Sequence, residues 1–338
     1  MELRLLGTTE ALRDGVAAPL GGPLQRAVLA DLALCAPLTV PIEQLVDDIW
    51  DASQPASATH TLRAYVSRLR RSLAGIGCPE ALVTSGSGYR LIVATSEVDA
   101  LFFAELVAKG RSALAGSEPA VAAERLGHAL SLWRGPALAD VRQAAFAGPA
   151  AAQLEGSRLN AVEALLDARL QLGEHLELVS ELERLVAAHP LREHLHAQLM
   201  IALYRSGRQV DALGAFQRAR NVLVAQVGVE PGRELRELEL AVLRQTPELD
   251  AVPPVGRSSA GLLVPLEATI GVPPPLELAG FVAPGPPARR PPGGERGGVL
   301  RGGSRRRRLV GGACAIAVVA TACTVPLVIA ATASSGLV

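Results

Sequence analysis

Apolar residues recur at intervals of three and four in three segments near the start of the chain, which predicts three amphipathic helices. These helices begin near Leu24, Pro41 and Ala58. Two short apolar runs, at 82–84 and 89–93, then flank the sequence Ser-Gly-Ser-Gly, a pattern typical of a β-hairpin. Three helices closed by a hairpin predict a winged helix-turn-helix, and strand-like pieces before the first helix make this part of the chain α+β.

The next part of the chain, from Asp99 to about Arg244, shows helical periodicity in one segment after another. Gly173 and Gly207 lie 34 residues apart, which is the period of tetratricopeptide repeats, and the apolar residues that follow each glycine match in register. This match predicts an α-helical, tetratricopeptide-like domain. A generic helical bundle is the alternative.

The C-terminal part changes character twice. Residues 251–304 hold 11 prolines and 11 glycines among 54 residues, which predicts a disordered linker, because too few apolar side chains are present to offset the entropy of ordering. Residues 309–331 carry no charge and follow the run Arg305–Arg308. A helix of this length spans a hydrocarbon core of about 30 Å, which predicts a transmembrane helix rather than a buried core helix. The positive-inside rule then places the N-terminal bulk in the cytoplasm.

These patterns predict a mainly α-helical protein with a small α+β part. Residues 1–95 are predicted to form the N-terminal winged helix-turn-helix, and residues 99–248 the α-helical, tetratricopeptide-like domain. Residues 251–308 are the predicted disordered linker, and residues 309–331 the one C-terminal transmembrane helix.

The composition argues against several classes of protein. The 33 Lys and Arg residues balance 33 Asp and Glu residues, so the net charge indicates no partner. The four cysteines form no CxxC pair, and the common nucleotide-binding and hydrolase motifs are missing. His194 and His196 could suggest a metal site, but residues two apart on a helix point about 200° apart. We therefore predict that the protein is not an enzyme and has no catalytic, cofactor or metal site.

The third predicted helix carries a local basic surface. No acidic residue occurs between Asp51 and Glu80, although several arginines do. An apolar stripe would seat the helix on its domain, while the opposite face would point donors into the major groove of DNA. The helix residues predicted to contact DNA are His60, Thr61, Arg63, Ser67, Arg68, Arg70 and Arg71. A solvated, arginine-rich face without a role in DNA binding is the alternative.

Several motifs resemble one family of bacterial regulators. The N-terminal motifs are Gly22–Ala30, Leu45–Trp50, Thr61–Arg71 and Gly88–Leu91. The C-terminal motifs are Leu130–Gly135, Glu193–Leu203, Tyr204–Arg208, Ala212–Leu213 and Val227–Gly232. In this order, over residues 1–248, they resemble the SARP family, the Streptomyces antibiotic regulatory proteins. Members of that family join an OmpR-type winged helix to a bacterial transcriptional activator domain.

The resemblance implies a transcriptional activator that binds direct repeats in double-stranded DNA upstream of biosynthetic or regulatory genes. It assigns residues 58–73 to the recognition helix and 83–91 to the wing. In the wing Tyr89 packs the hairpin and Arg90 lies near phosphate, and both are included among the residues predicted to contact DNA. Residues 51–57 become a turn that can face RNA polymerase in relatives. The helical domain would support self-association into a homodimer or a higher assembly.

The linker and the apolar C-terminal segment depart from the short soluble members of that family. We therefore expect a regulator tethered to the cytoplasmic membrane by a single C-terminal span, with its N-terminal domains in the cytoplasm. Such a protein either works at the membrane or is released by proteolysis. The alternative is a membrane-anchored interaction scaffold whose winged helix does not bind DNA.

Overall fold

The computed structural model describes residues 1–250, so the predicted linker and transmembrane helix lie outside the described residues. Within residues 1–250 the protein is mainly helical, with ten α-helices and two small three-stranded sheets. No helix in this part of the chain is long and apolar enough to cross a lipid bilayer. The described elements agree with a winged helix followed by a helical half.

Two small sheets enclose the three helices of the N-terminal half. The first sheet is an antiparallel meander of β1 (Glu2–Arg4), β2 (Glu10–Arg13) and β3 (Val16–Ala17). The helices are α1 (Pro23–Leu34), α2 (Ile42–Trp50) and α3 (Ala58–Gly75). The second sheet, in the order β4-β6-β5, joins β4 (Val40–Pro41) to a hairpin of β5 (Leu82–Ser85) and β6 (Gly88–Leu91).

Glycine and proline set where the first two helices begin. Gly22 is extended, with φ −74° and ψ 168°, and Pro23 occupies the first position of α1, where its missing N–H leaves no bond unmade. Pro41 is also extended, with φ −60° and ψ 149°. Helix α2 therefore begins at Ile42, one residue after the proline that marks it in the sequence.

One stripe of α3 seats this helix on the N-terminal core. Its buried residues are Ala58, Leu62, Val66, Leu69 and Leu73. Tyr65, which the periodicity places in the same stripe, lies at its edge and is partly exposed. Its ring stacks on Trp50 of α2 with 6.3 Å between the ring centroids. The opposite side of α3 is left to solvent.

The hairpin of β5 and β6 is the wing, and it lies unusually close to β4. Gly88 pairs with Pro41 across the β4–β6 ladder. A Cβ atom added to Gly88 would overlap the Val40 carbonyl oxygen and lie 2.9 Å from the Pro41 Cα. The obstacle is backbone, so a side chain at this position must push the two strands apart.

Gly88→Ala is therefore expected to lower the free energy of unfolding by about 1–3 kcal/mol, the usual cost of overpacking. Gly75→Ala is the matched control, because nothing lies within 4 Å of a Cβ added there, at the end of α3. We expect Gly75→Ala to be neutral or slightly stabilising. Urea unfolding of both variants checks the difference, and equal stabilities would show that β4 and β6 are not this close.

Seven helices make up the C-terminal half, with sequential neighbours packed against each other. They are α4 (Asp99–Ala115), α5 (Pro119–Ser131), α6 (Ala147–Gln171), α7 (His175–Ala188), α8 (Glu193–Arg205), α9 (Gln209–Val227) and α10 (Arg233–Arg244). Helix α6 is the longest of them, at 25 residues.

The turn that ends α4, α6 and α8 is the same left-handed turn in each case. Gly173 after α6 and Gly207 after α8 have φ values of 87° and 76°, and Ser117 after α4 has 59°. The fifth residue beyond each turn is fully buried, in the order Ala122, Leu178 and Ala212. The first of the three turns, at Ser117, cannot be recognised in the sequence. Serine replaces glycine there, and Ser117 precedes Gly173 by 56 residues instead of 34.

The segment between α5 and α6, residues 132–146, accounts for part of this longer spacing, and we call it the docking segment. It attaches the helical half to the winged helix through backbone hydrogen bonds. The N–H of Arg134 donates to the carbonyl oxygen of Leu6 at 2.8 Å, and the N–H of Phe146 donates to that of Asp48 in α2 at 2.9 Å. The two halves therefore share one bonded interface.

Asp99, the first residue of α4, joins the halves at a second place. Its buried carboxylate accepts hydrogen bonds from the backbone N–H groups of Leu5, at 2.7 Å, and Leu6, at 3.0 Å. The guanidinium of Arg134, in the docking segment, lies 3.3 Å from the same carboxylate. Burial raises the pKa of Asp99, and the two N–H bonds and Arg134 oppose that rise.

Candidate DNA-binding site

The exposed side of α3 presents most of the helix residues that were predicted to contact DNA. The exposed ones are His60, Arg63, Ser67, Arg68 and Arg71. Thr61 lies beside them and is half-buried. Because the apolar stripe faces the core, the spacing of three and four residues brings these polar groups to the solvent side along successive turns.

Three guanidinium groups on this side have no anionic partner among residues 1–250. None of Arg63, Arg68 and Arg71 lies within 4 Å of a carboxylate of residues 1–250. Twelve of the other arginines there do have a partner: ten form an ion pair with a carboxylate, and Arg70 and Arg205 donate to backbone carbonyl oxygens. Helix α3 itself contains no acidic residue. The exposed side is thus a local positive surface on a chain without net charge.

Arg70 and Tyr89 lie deeper in the winged helix than the exposed arginines of α3. Tyr89 is only 7% exposed, and Arg70 is half-buried against the wing. The guanidinium of Arg70 donates to the Leu82 carbonyl oxygen and to the Thr84 hydroxyl, each at 2.8 Å. Both residues therefore lie in the junction between α3 and the wing, and the helical spacing that groups Arg70 with Arg63 carries no sign of this.

Arg90 lies on the wing with an unused donor. It is opposite Val83 in the hairpin and half-buried, and its Nε is buried without a hydrogen-bond partner among residues 1–250. A buried donor without an acceptor is costly in a protein. The Nε atom is closed to solvent, so only the rest of the half-buried side chain can meet a ligand.

The turn between α2 and α3 has a defined conformation. Asp51 begins it with a left-handed φ of 48°, and residues 53–57 are exposed. The Ser53 hydroxyl donates to the Trp50 carbonyl oxygen at 2.6 Å, and the Gln54 amide donates to Asp47 at 2.5 Å. The turn is thus held against α2 and presents its other side to solvent.

His194 and His196, two residues apart in α8, each contact a different group of the helical half. His194 bonds to Asp167 at 2.9 Å, and His196 is buried with its Nε2 at 2.9 Å from the Pro190 carbonyl oxygen. Among residues 1–250 no group of three or more His, Cys, Asp and Glu side chains could hold a metal ion.

Two family models match the chain in the order of its two halves. Residues 21–91 match "Transcriptional regulatory protein, C terminal", and residues 98–243 match "Bacterial transcriptional activator domain". Over 257 residues the chain is 39% identical to the regulatory protein DnrI of Streptomyces peucetius, an alignment that covers 74% of this chain and 94% of DnrI. The chain belongs to the SARP family of transcriptional regulators. SARP proteins are DNA-binding regulators of transcription and generally not enzymes.

Two further SARP relatives are longer than this chain. The regulatory protein AfsR of Streptomyces griseus is 38% identical over 249 residues, which cover 74% of this chain and 25% of AfsR. The transcriptional regulatory protein EmbR of Mycobacterium tuberculosis is 37% identical over 270 residues, which cover 79% of this chain and 69% of EmbR.

A solved structure supports the fold of this SARP protein. The structure of Mycobacterium tuberculosis EmbR in complex with a low-affinity phosphopeptide superposes with a TM-score of 0.70 at 36% sequence identity. The superposition covers 72% of this chain and 65% of that one.

Proposed function

We propose that this SARP protein is a sequence-specific, DNA-binding activator of biosynthetic or regulatory genes. The observation that carries the proposal is the exposed side of α3, where Arg63, Arg68 and Arg71 have no carboxylate partner within residues 1–250. An arginine that is paired within the protein must give up that partner to bind DNA. These three need not do so, and their guanidinium groups can bind guanine edges or phosphate directly.

In this proposal α3 lies in the major groove and the wing contacts the adjacent backbone. Arg63 and Arg71 are two turns apart on the same side of the helix, so they reach different parts of the site. Arg90 on the wing binds a phosphate through the part of its half-buried side chain that is open to solvent. Phosphate contacts set the register, and base contacts supply the specificity.

The exposed turn at residues 51–57 is the surface that we propose for RNA polymerase. It directly precedes the recognition helix and leaves its outer side open in residues 53–57. We further propose that two or more copies bind direct repeats side by side, so that each copy presents its own turn to the polymerase.

The test is DNA binding by the full-length chain, with promoter fragments from its genomic neighbourhood and at several salt concentrations. We expect Arg63→Ala and Arg71→Ala each to weaken binding by about 1–3 kcal/mol if the arginine reads a base. If it binds phosphate instead, the slope of log affinity against log salt should fall by about 1. Arg184→Ala, an exposed arginine of α7 in the helical half, is the matched control and should bind as the wild type does.

The same measurement separates this proposal from its main alternative. A folded wild-type chain that binds promoter and random DNA equally would favour an interaction scaffold, in which the helical half binds a protein partner. Losses in both Arg63→Ala and Arg71→Ala, with Arg184→Ala unchanged, would contradict the scaffold.

We also propose that residues 309–331 tether the regulator to the cytoplasmic membrane, with the N-terminal domains in the cytoplasm. The support is the uncharged apolar sequence after Arg305–Arg308. As a flexible coil, the preceding linker has a root-mean-square reach of roughly 40 Å, which lets the tethered domain meet DNA. Full-length protein is expected in the membrane fraction and a chain ending at Ser304 in the soluble fraction. Full-length protein in the soluble fraction would contradict the tether, and a shortened soluble form that appears during target-gene activation would favour proteolytic release.

A further inference from the structure

Arg70 contacts both strands of the wing with one planar group. Its Nε donates to the carbonyl oxygen of Leu82 at 2.8 Å, and its Nη2 donates to the hydroxyl of Thr84 at 2.8 Å, both in β5. The guanidinium carbon also lies 5.7 Å from the centre of the Tyr89 ring in β6. Among the contacts within residues 1–250, Arg70 is thus the arginine of α3 whose donors are used.

We propose that Arg70 is a positioning residue for DNA binding, a clamp that fixes the wing to the recognition helix. It acts through Leu82, Thr84 and Tyr89 and does not itself touch DNA. The proposal rests on the DNA-binding function proposed above and names the residue that holds the two DNA-facing elements in one geometry.

The wing gains from such a clamp because its outer strand, β5, pairs with one strand only, β6, and Arg70 ties it to α3 as well. Each strand of the hairpin is four residues long, and a two-stranded hairpin of this kind is marginally stable alone. In the order β4-β6-β5, strand β6 lies between two neighbours, whereas β5 is at the edge. The side of β5 that faces α3 is where Arg70 binds.

The geometry requires arginine in particular. Two nitrogens of a rigid fork reach two acceptors two residues apart on β5, while the carbon of the same group lies over the Tyr89 ring, 5.7 Å from its centre. Lysine keeps the charge but places a single ammonium on a flexible stem, so it cannot make the three contacts together. A phosphate contact, in contrast, tolerates lysine as a point charge.

The clamp aligns the contacts of the helix with those of the wing. Arg63 and Arg71 lie on α3, and Arg90 lies on β6 beside Tyr89. If the hairpin moves relative to α3, Arg90 loses its register with the arginines of the helix. Loss of Arg70 should therefore remove the benefit of Arg90 as well, although no atom of Arg90 has changed.

The experiment measures promoter binding and amide hydrogen exchange of the full-length chain and its variants. Arg70→Lys should weaken binding about tenfold, since it loses hydrogen bonds made by a charged group. Thr84→Val should weaken binding severalfold while Arg70 keeps its charge, because one of its two acceptors on β5, the Thr84 hydroxyl, is gone. Thr84→Ser restores a hydroxyl at the same position and should bind as the wild type does. Both weakened variants should exchange the amides of residues 82–91 faster.

A double-variant cycle tests the coupling to Arg90. Arg70→Gln combined with Arg90→Ala should bind little worse than Arg70→Gln alone, whereas two independent DNA contacts would give the product of both losses. Multiplicative losses, or full affinity in Arg70→Lys or in Thr84→Val, would overturn the clamp. Unchanged amide exchange in residues 82–91 would overturn it as well.

Arg63→Ala in the same assay keeps the two proposals apart. A wild-type chain that binds promoter DNA and loses affinity in Arg63→Ala retains the proposed function, whatever Arg70 does. If the wild type does not bind DNA specifically, the proposed function fails and the role of Arg70 in it fails too. Amide exchange still reports in that case whether Arg70 holds the wing.

Discussion

Replacing Asp99 by alanine is expected to lower the free energy of unfolding by about 3 kcal/mol. The carboxylate is 7% exposed and accepts the backbone N–H groups of Leu5 and Leu6, so its removal leaves two buried donors without partners. Arg134 loses the same carboxylate, at 3.3 Å, on the other side of the interface. The lost contacts therefore all lie at the interface between the winged helix and the helical half.

The two tryptophans make this effect measurable in each half. Trp50 lies at the end of α2, and Trp133 lies in the docking segment, where its ring packs edge-on against Phe103 of α4. Circular dichroism and tryptophan fluorescence should follow one urea transition in the wild type. In Asp99→Ala we expect an earlier transition, in which the winged helix loosens before the helices of the other half unfold.

Two further variants are compared with Asp99→Ala in the same unfolding experiment. Asp99→Asn keeps one carbonyl acceptor in place and should lose less stability than the alanine variant. Asp211 lies in α9, and its carboxylate is 51% exposed and pairs with Arg208. Asp211→Ala should therefore lower the free energy of unfolding by less than about 1 kcal/mol. If Asp99→Ala also lowers the free energy of unfolding by less than about 1 kcal/mol, water replaces the carboxylate at Leu5 and Leu6, and the interface between the two halves is not buried there.

Asp31→Asn is expected to stabilise the protein at neutral pH and to remove part of its pH dependence. Asp31 lies in the middle of α1, is 3% exposed, and has a buried Oδ2 with no hydrogen-bond partner among residues 1–250. Burial raises the pKa of Asp31 to about 8, and the nearby carboxylate of Asp48 in α2 adds to the rise. The folded protein therefore keeps a proton that the unfolded chain releases near its ordinary pKa.

The sign of the effect follows from that difference in pKa. A carboxyl group that binds its proton more tightly in the folded state stabilises the protein below its unfolded pKa. That stability is lost as the pH rises toward the folded pKa, at about 1.4 kcal/mol per pH unit. At pH 7 the loss amounts to about 4 kcal/mol relative to acid conditions, and asparagine, which does not ionise, avoids it.

Urea unfolding of wild type and Asp31→Asn between pH 5 and pH 8 checks this expectation. The difference in free energy of unfolding between them should grow steadily with pH. Asp48 and Asp99 also have raised pKa values, so the wild-type curve alone does not isolate Asp31, but the difference does. Asp14→Asn, at a side chain 93% exposed, should run parallel to the wild type. A constant difference between Asp31→Asn and wild type would mean that Asp31 is ionised in the folded protein.

The sequence alone predicts most of the helices and the order of the two halves. The periodicity that defines α2 and α3 is local, since each helix buries one stripe whatever it packs against. The predicted bounds of α3, residues 58–73, differ from the observed Ala58–Gly75 by one partial turn. The left-handed glycines at 173 and 207 could be read from their spacing, because a left-handed turn favours glycine.

Other features have no local signal. Ser117 adopts the left-handed turn without being glycine, and the docking segment of residues 132–146 has no regular pattern to mark it. Asp31 occupies a position within the apolar part of α1, where only the neighbouring helix shows that its carboxyl is enclosed. Each of these depends on what another part of the chain places beside it.

The arginines of α3 show the difference between a property of one segment and a property of the folded chain. Their residue types and their spacing of three, four and seven placed a basic face on one helix, because helical geometry acts within a single segment. Arg63 and Arg71 stay exposed on that face, whereas Arg70 is bound by Leu82 and Thr84. That division comes from the wing, which packs against one part of α3 only. Contacts between residues 12 and 14 positions apart therefore decide which arginines of the helix remain exposed.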